Sequence, residues 1–117
     1  MAVSKMQTDI AVGTITAESG VTFSELSVTQ IGNIVCVRGY ATLSTAASQG
    51  TEKKLGTLSG VPFPKSTLRS LCGTTSGASY DAYNVGYLVI GTVGNIGVKT
   101  NNSNQKTFTF CVSYSIL

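Results

Sequence analysis

The chain contains no histidine and no tryptophan, and proline occurs only twice in 117 residues. Without histidine there is no Ser-His-Asp triad, no Cys-His dyad and no His-ligated zinc. Charge is also scarce. Lys and Arg number 8, Asp and Glu 5, together 11% of the chain, against about 25% in an ordinary soluble domain. A disordered polyelectrolyte is excluded. The net charge of +3 is scattered, with Lys53-Lys54 the one adjacent basic pair, and gives no nucleic-acid footprint. Met1 is followed by Ala2, Val3, Ser4 and Lys5, so no secretory signal is expected. The longest uncharged stretch, Ala82 to Val98, contains Asn84, Asn95 and four glycines. It is short for a membrane helix, and no membrane insertion is expected.

Cysteine is limited to Cys36, Cys72 and Cys111. The count is odd and no C-x-x-C spacing occurs, which argues against a closed disulfide framework. Three free thiols acting as small buried hydrophobes are expected, with a disulfide between two of them as the alternative.

What is abundant is β-forming and turn-forming residue. Ser supplies 14 positions, Thr 16 and Gly 13. A chain of this length forms one domain and buries about 65% of its surface. Residues 1 to 20 read as a lead-in with one short edge strand within Asp9 to Thr16, and residues 21 to 117 as the β domain. No stretch of 12 residues keeps a helical period without glycine, and Pro62 and Pro64 deny a helix near the middle. Two Gly-Asn pairs, Gly32-Asn33 and Gly94-Asn95, lie between apolar strand ends. Each is expected to be a two-residue type II′ hairpin. A polar connection, Thr100 to Gln105, precedes the last strand.

Alternation assigns the faces. Phe108, Phe110, Val112, Tyr114 and Ile116 share one face of the last strand. Val35, Val37, Gly39, Ala41 and Leu43 share one face of an earlier strand, with Ile34, Cys36, Arg38 and Tyr40 opposite. Val85, Tyr87 and Val89 oppose Leu88 and Ile90. Strands apolar on both faces need cover on both, and a two-layer sandwich covers only the inner one. The expectation is an all-β antiparallel sandwich that assembles with further copies of itself. Glu25 is expected near Arg38 or Tyr40 across the first hairpin, where an ion pair with Arg38 could form.

Catalytic chemistry is poorly supplied. The carboxylates Asp9, Glu18, Glu25, Glu52 and Asp81 are isolated in sequence, whereas a glycosidase needs two within about 5–9 Å. No nucleophile elbow, P-loop or dinucleotide fingerprint occurs. No metal site and no cofactor are implied. The candidate ligand-binding cluster is Tyr80, Asp81, Tyr83 and Asn84, within Ser79-Tyr80-Asp81-Ala82-Tyr83-Asn84. Aromatic rings stack on saccharides, while Asp and Asn bond their hydroxyls. Lys65 and Arg69 form a weaker candidate for a phosphate or carboxylate.

The order of motifs is Ile31-Gly32-Asn33-Ile34-Val35-Cys36-Val37-Arg38-Gly39-Tyr40, then Leu55-Gly56-Thr57-Leu58 with Pro62-Phe63-Pro64. Tyr87-Leu88-Val89-Ile90 follows with Gly94-Asn95-Ile96-Gly97-Val98, and Phe108-Thr109-Phe110-Cys111-Val112-Ser113-Tyr114 ends the chain. From residue 20 onward this resembles the C-terminal head domains of bacteriophage tail-fibre and baseplate receptor-binding proteins. The segment Leu58 to Pro64 departs from that pattern in lacking a Leu-Pro pair. The resemblance implies a jelly-roll-like sandwich, a homotrimer, a place in the virion tail after synthesis in the bacterial cytoplasm, and adhesion to a host-surface saccharide or protein. It transfers no binding residue. Two rival readings are a trimerising module of a collagen-like surface protein or bacteriocin fibre, and a glycan hydrolase using Asp81 and one glutamate.

Overall fold

The alternation of large apolar and small polar residues is realised as strand after strand. The computed structural model describes residues 10–76 and 84–117. Among the described residues are nine strands and no helix: β1 (Ile10–Val12), β2 (Thr14–Ala17), β3 (Val21–Ile31), β4 (Ile34–Ala47), β5 (Lys53–Ser59), β6 (Leu68–Thr75), β7 (Asn84–Ile90), β8 (Asn95–Thr100) and β9 (Gln105–Ser115). They form one antiparallel sheet in the order β1-β3-β4-β9-β6-β7-β8-β5-β2. Within it, β9-β6-β7-β8 is a Greek key: three hairpin-connected strands and a fourth that returns beside the first.

The two outermost positions belong to strands that are consecutive in the chain. β1 pairs with β3 and β2 pairs with β5, and only Gly13 separates them. One stretch of backbone therefore joins both margins and rolls the sheet nearly closed. The Gly13 amide donates to the Val28 carbonyl at 2.9 Å. Residue 13 must be glycine, because a Cβ there would lie 2.5 Å from the Ser59 carbonyl oxygen and 2.9 Å from Val28 Cγ1.

The interior is filled from all sides. Val35, Val37, Leu55, Ile90, Ile96, Val98 and Phe108 are fully buried. Burial of each large apolar side chain contributes about 1.5–3 kcal/mol. Phe23 meets Phe110 edge to face with ring centroids 6.4 Å apart. The expected antiparallel all-β fold is present, and its two apolar layers are opposing walls of one rolled sheet. The face assignments for β4 and β9 match the burial pattern: Val35, Val37, Ala41 and Leu43 are buried, as are Phe108, Phe110, Val112 and Tyr114. The Tyr114 hydroxyl donates to the Pro62 carbonyl at 2.6 Å, which ties β9 to the β5–β6 connection.

The two Gly-Asn turns differ. Ile31 pairs with Ile34 across two residues, and of those two only Gly32 has positive φ, at 57°. That agrees with type II′. The second turn is not the expected two-residue hairpin. The Gly94 amide donates to the Gly91 carbonyl at 3.0 Å, and the Gly91 amide to the Asn95 carbonyl at 2.8 Å. The loop is therefore three residues, with Gly94 closing it at φ 87°. The Phe63 ring lies where a Cβ on residue 94 would project, 2.7 Å from Phe63 Cε1. The local dipeptide is the same as in the first turn, and this tertiary contact distinguishes it.

All three cysteines are free. Only Cys72 is buried, and desolvation pushes its thiol up to about 11. Cys36 is half-buried and Cys111 exposed, contrary to the expectation of three buried thiols. Both sit on the outer face because their strand neighbours Val35, Val37, Phe110 and Val112 point inward.

The closure makes a stability prediction. Gly13→Ala should lower the unfolding free energy by about 1–3 kcal/mol, the usual effect of overpacking. Gly91→Ala, whose Cβ would meet nothing closer than 3.8 Å, should stay within about 0.5 kcal/mol of wild type. Urea midpoints measured at constant slope compare the two.

Candidate functional site

A depression lies outside the rolled sheet, over β3, β4 and β9. It arises from an irregularity in β3. Ser24 pairs with Tyr40 and Ser27 with Arg38, so Glu25 and Leu26 together oppose Gly39. This is a β-bulge, and Glu25 takes φ 54°. A non-glycine residue in that left-handed region costs about 1–2 kcal/mol. Such a cost is often found where a bulge aims a side chain. Leu26 turns onto the core edge, over Gly39, where a Cβ would meet Leu26 Cδ1 and Phe110 Cζ at 3.2 Å.

The resulting groove has a volume of about 660 Å³. Glu25 and Ser27 line one side, Thr109 and Cys111 the other, with Arg38 and Tyr40 between. Gly39 and Phe110 complete the floor. An adjoining hollow of about 380 Å³ continues past Arg38 to Cys36, Ile31 and Ile34. The groove offers one acid, one guanidinium, one phenol ring and two hydroxyls. Glu25 and Arg38 share the wall as expected from the hairpin register, although among the described residues no ion pair joins them. Each therefore keeps hydrogen-bonding capacity for a ligand. Sequence reasoning placed Glu25 near Arg38 and Tyr40 but did not identify them as a binding set. The missing signal was the bulge, which nothing in Ser24-Glu25-Leu26-Ser27 announces.

Of the cluster expected to bind ligand, Tyr80, Asp81 and Tyr83 lie outside the described residues. Asn84 is described. It opens β7, and its amide donates to Gln105 Oε1 at 3.4 Å. Gln105 is the hub of a polar network at this end of the barrel. It accepts from Thr74 Oγ1 at 2.7 Å and donates to the Ser103 carbonyl at 3.1 Å. Beside it, the Thr75 and Thr107 hydroxyls bond each other at 2.6 Å. Among the described residues no buried polar side-chain atom lacks a partner. The Asn84 amide thus helps to anchor the root of the β6–β7 connection.

Lys65 and Arg69 are exposed at the opposite end and do not converge on the groove. A separate apolar patch lies on the outer face of β6 and β7. Leu71 pairs directly with Tyr87, and Leu71, Val85 and Tyr87 are 67%, 57% and 45% exposed. The expectation of strands apolar on both faces is met here.

The chain was compared with known proteins. No family model and no curated protein matches it. Among solved structures, the head domain of the lactococcal phage bIL170, described as a receptor-binding domain, superposes with a TM-score of 0.73. The match covers 93% of this chain and 100% of that one at 24% sequence identity. The two chains therefore share a fold.

The polar hub makes its own prediction. Gln105→Leu leaves the buried Thr74 hydroxyl without its acceptor and should cost about 1–3 kcal/mol. The double change Gln105→Leu with Thr74→Val should recover part of that loss in a urea double-mutant cycle. Additive losses would show that the two side chains act independently.

Proposed function

We propose that this chain is the head domain of a phage tail receptor-binding protein, located in the virion tail, that adheres to a saccharide of the bacterial surface through the β3–β4–β9 groove. The observation that carries the reading is the convergence of Glu25, Arg38 and Tyr40 on one outer groove, on a scaffold shared with a phage receptor-binding head. The Glu25 carboxylate accepts hydrogen bonds from sugar hydroxyls. The planar guanidinium of Arg38 donates two at once, and the Tyr40 ring stacks on the apolar face of a pyranose. Tyr80, Asp81, Tyr83 and Asn84 form a second proposed contact region on the β6–β7 connection.

Binding without hydrolysis is the favoured chemistry. Among the described residues Glu25 is the single carboxylate in the groove lining, and glycoside cleavage uses two. The outer apolar patch of Leu71, Val85 and Tyr87 supports assembly with further copies that would cover it, and the resemblance to phage heads implies that the assembly is a homotrimer. Several weak sites held in one assembly then multiply into firm attachment.

The test is binding of the fluorescently labelled domain to a panel of bacterial cells and to their extracted surface polysaccharides. Arg38→Ala and Tyr40→Ala should each weaken binding about tenfold, as loss of one charged or stacking contact implies. Lys65→Ala should bind as wild type. Wild-type affinity in both groove variants would refute the assignment.

A further inference from the structure

We infer that Cys36 and Cys111 form a redox-active dithiol pair on the outer face, one that closes reversibly to a disulfide joining β4 to β9. The pair is set by register. Cys36 lies opposite Ser113, and Arg38 lies opposite Cys111. Cys36 and Cys111 are thus diagonal neighbours on adjacent antiparallel strands. Both point outward, since Val35, Val37, Phe110 and Val112 occupy the inner face. Both border the same hollow beside Arg38. The thiols also sense each other: besides burial, Cys111 raises the Cys36 pKa through charge and hydrogen bonding. No third His, Cys, Asp or Glu joins them among the described residues, so the pair has no set of metal ligands around it. Cys72, the remaining thiol, is buried in the core.

The chemistry is thiol–disulfide exchange with a small disulfide such as oxidised glutathione. The exposed Cys111 attacks first as its thiolate, forming a mixed disulfide and releasing one glutathione thiolate. The half-covered Cys36 then attacks the Cys111 sulfur and expels the second glutathione. Two protein thiols lose two hydrogens and two electrons, and the glutathione disulfide gains them as two thiols. Diagonal Cα atoms on such a ladder lie about 7–8 Å apart. A relaxed disulfide spans about 4.4–6.8 Å. Closure must draw the strands together, so the bond carries strain and is readily reduced again. A reversible staple is therefore expected, open in a reducing cytoplasm and closed in oxidising surroundings. Because it borders the groove beside Arg38, its state would also set the stiffness of that wall. The cross-link itself does not depend on what the groove binds.

The experiment treats the folded, full chain with oxidised glutathione, then counts free thiols after denaturation and maps the linkage by peptide mass. Three thiols should fall to one, with a Cys36–Cys111 peptide and no added glutathione. Cys72→Ala should fall from two thiols to none. Cys111→Ser should yield no intramolecular disulfide, and mild dithiol reductant should restore all three wild-type thiols. Wild type that keeps three thiols, that stops at a glutathione adduct on Cys111, or that links only between chains would overturn the inference.

Discussion

Everything in this molecule depends on how the sheet closes. An antiparallel sheet with free margins presents unpaired backbone to any neighbouring strand. Here a single segment, residues 10–17, serves both margins, giving β1 to β3 and β2 to β5. The change of partner happens at Gly13, which lets Ser59 and Val28 approach within distances no Cβ would allow. Closure brings β3–β4–β9 and β8–β5–β2 face to face and gives Val35, Val37, Ile96 and Val98 a common interior. The low charge of the chain fits this arrangement, since Ser and Thr are the commonest residue types on the solvated surface.

A small rolled sheet fills its interior with side chains and leaves no room for a ligand there. Binding must then use the outer surface or the ends. The end that carries Thr74, Thr100 and Gln105 is closed by a satisfied polar network. The outer face is opened by the β3 bulge, which adds a residue opposite Gly39 and presents Glu25 beside Arg38 and Tyr40. The positive φ at Glu25 is a local cost maintained by pairing on either side, from Val21 to Ser24 and from Ser27 to Ile31. A rigid frame carrying one strained bulge suits adhesion, because the contact residues lose little freedom on binding.

Much of the frame was legible in the residues. Alternation in Phe108 to Ile116 and in Val35 to Leu43 identified the inner faces, because a period of two admits only one inward set. Gly32-Asn33 identified the first hairpin and its turn type. Gly94-Asn95 misled, because the same dipeptide closes a three-residue loop when Phe63 packs over Gly94. The mutual pairing of β1 and β2 with distant strands was invisible, since Gly13 carries no local mark of the kink it permits. The groove was half legible. The hairpin register brought Glu25 toward Arg38, but the bulge that aims it is a tertiary outcome of Leu26 packing against Gly39 and Phe110. Composition marked Asn84 as a ligand contact but not its bond to Gln105, which depends on how β7 and β9 meet at the barrel end.

The central claim is that the outer β3–β4–β9 groove makes the receptor contact. The most direct measurement is backbone amide chemical-shift mapping of isotope-labelled domain titrated with surface polysaccharide from cells that it binds. The account predicts perturbations concentrated on Glu25 to Ser27, Arg38 to Tyr40 and Thr109 to Cys111, with the amides of the β7–β8 hairpin unmoved. Perturbations confined to residues 76–84 and 101–104, with the groove silent, would contradict it.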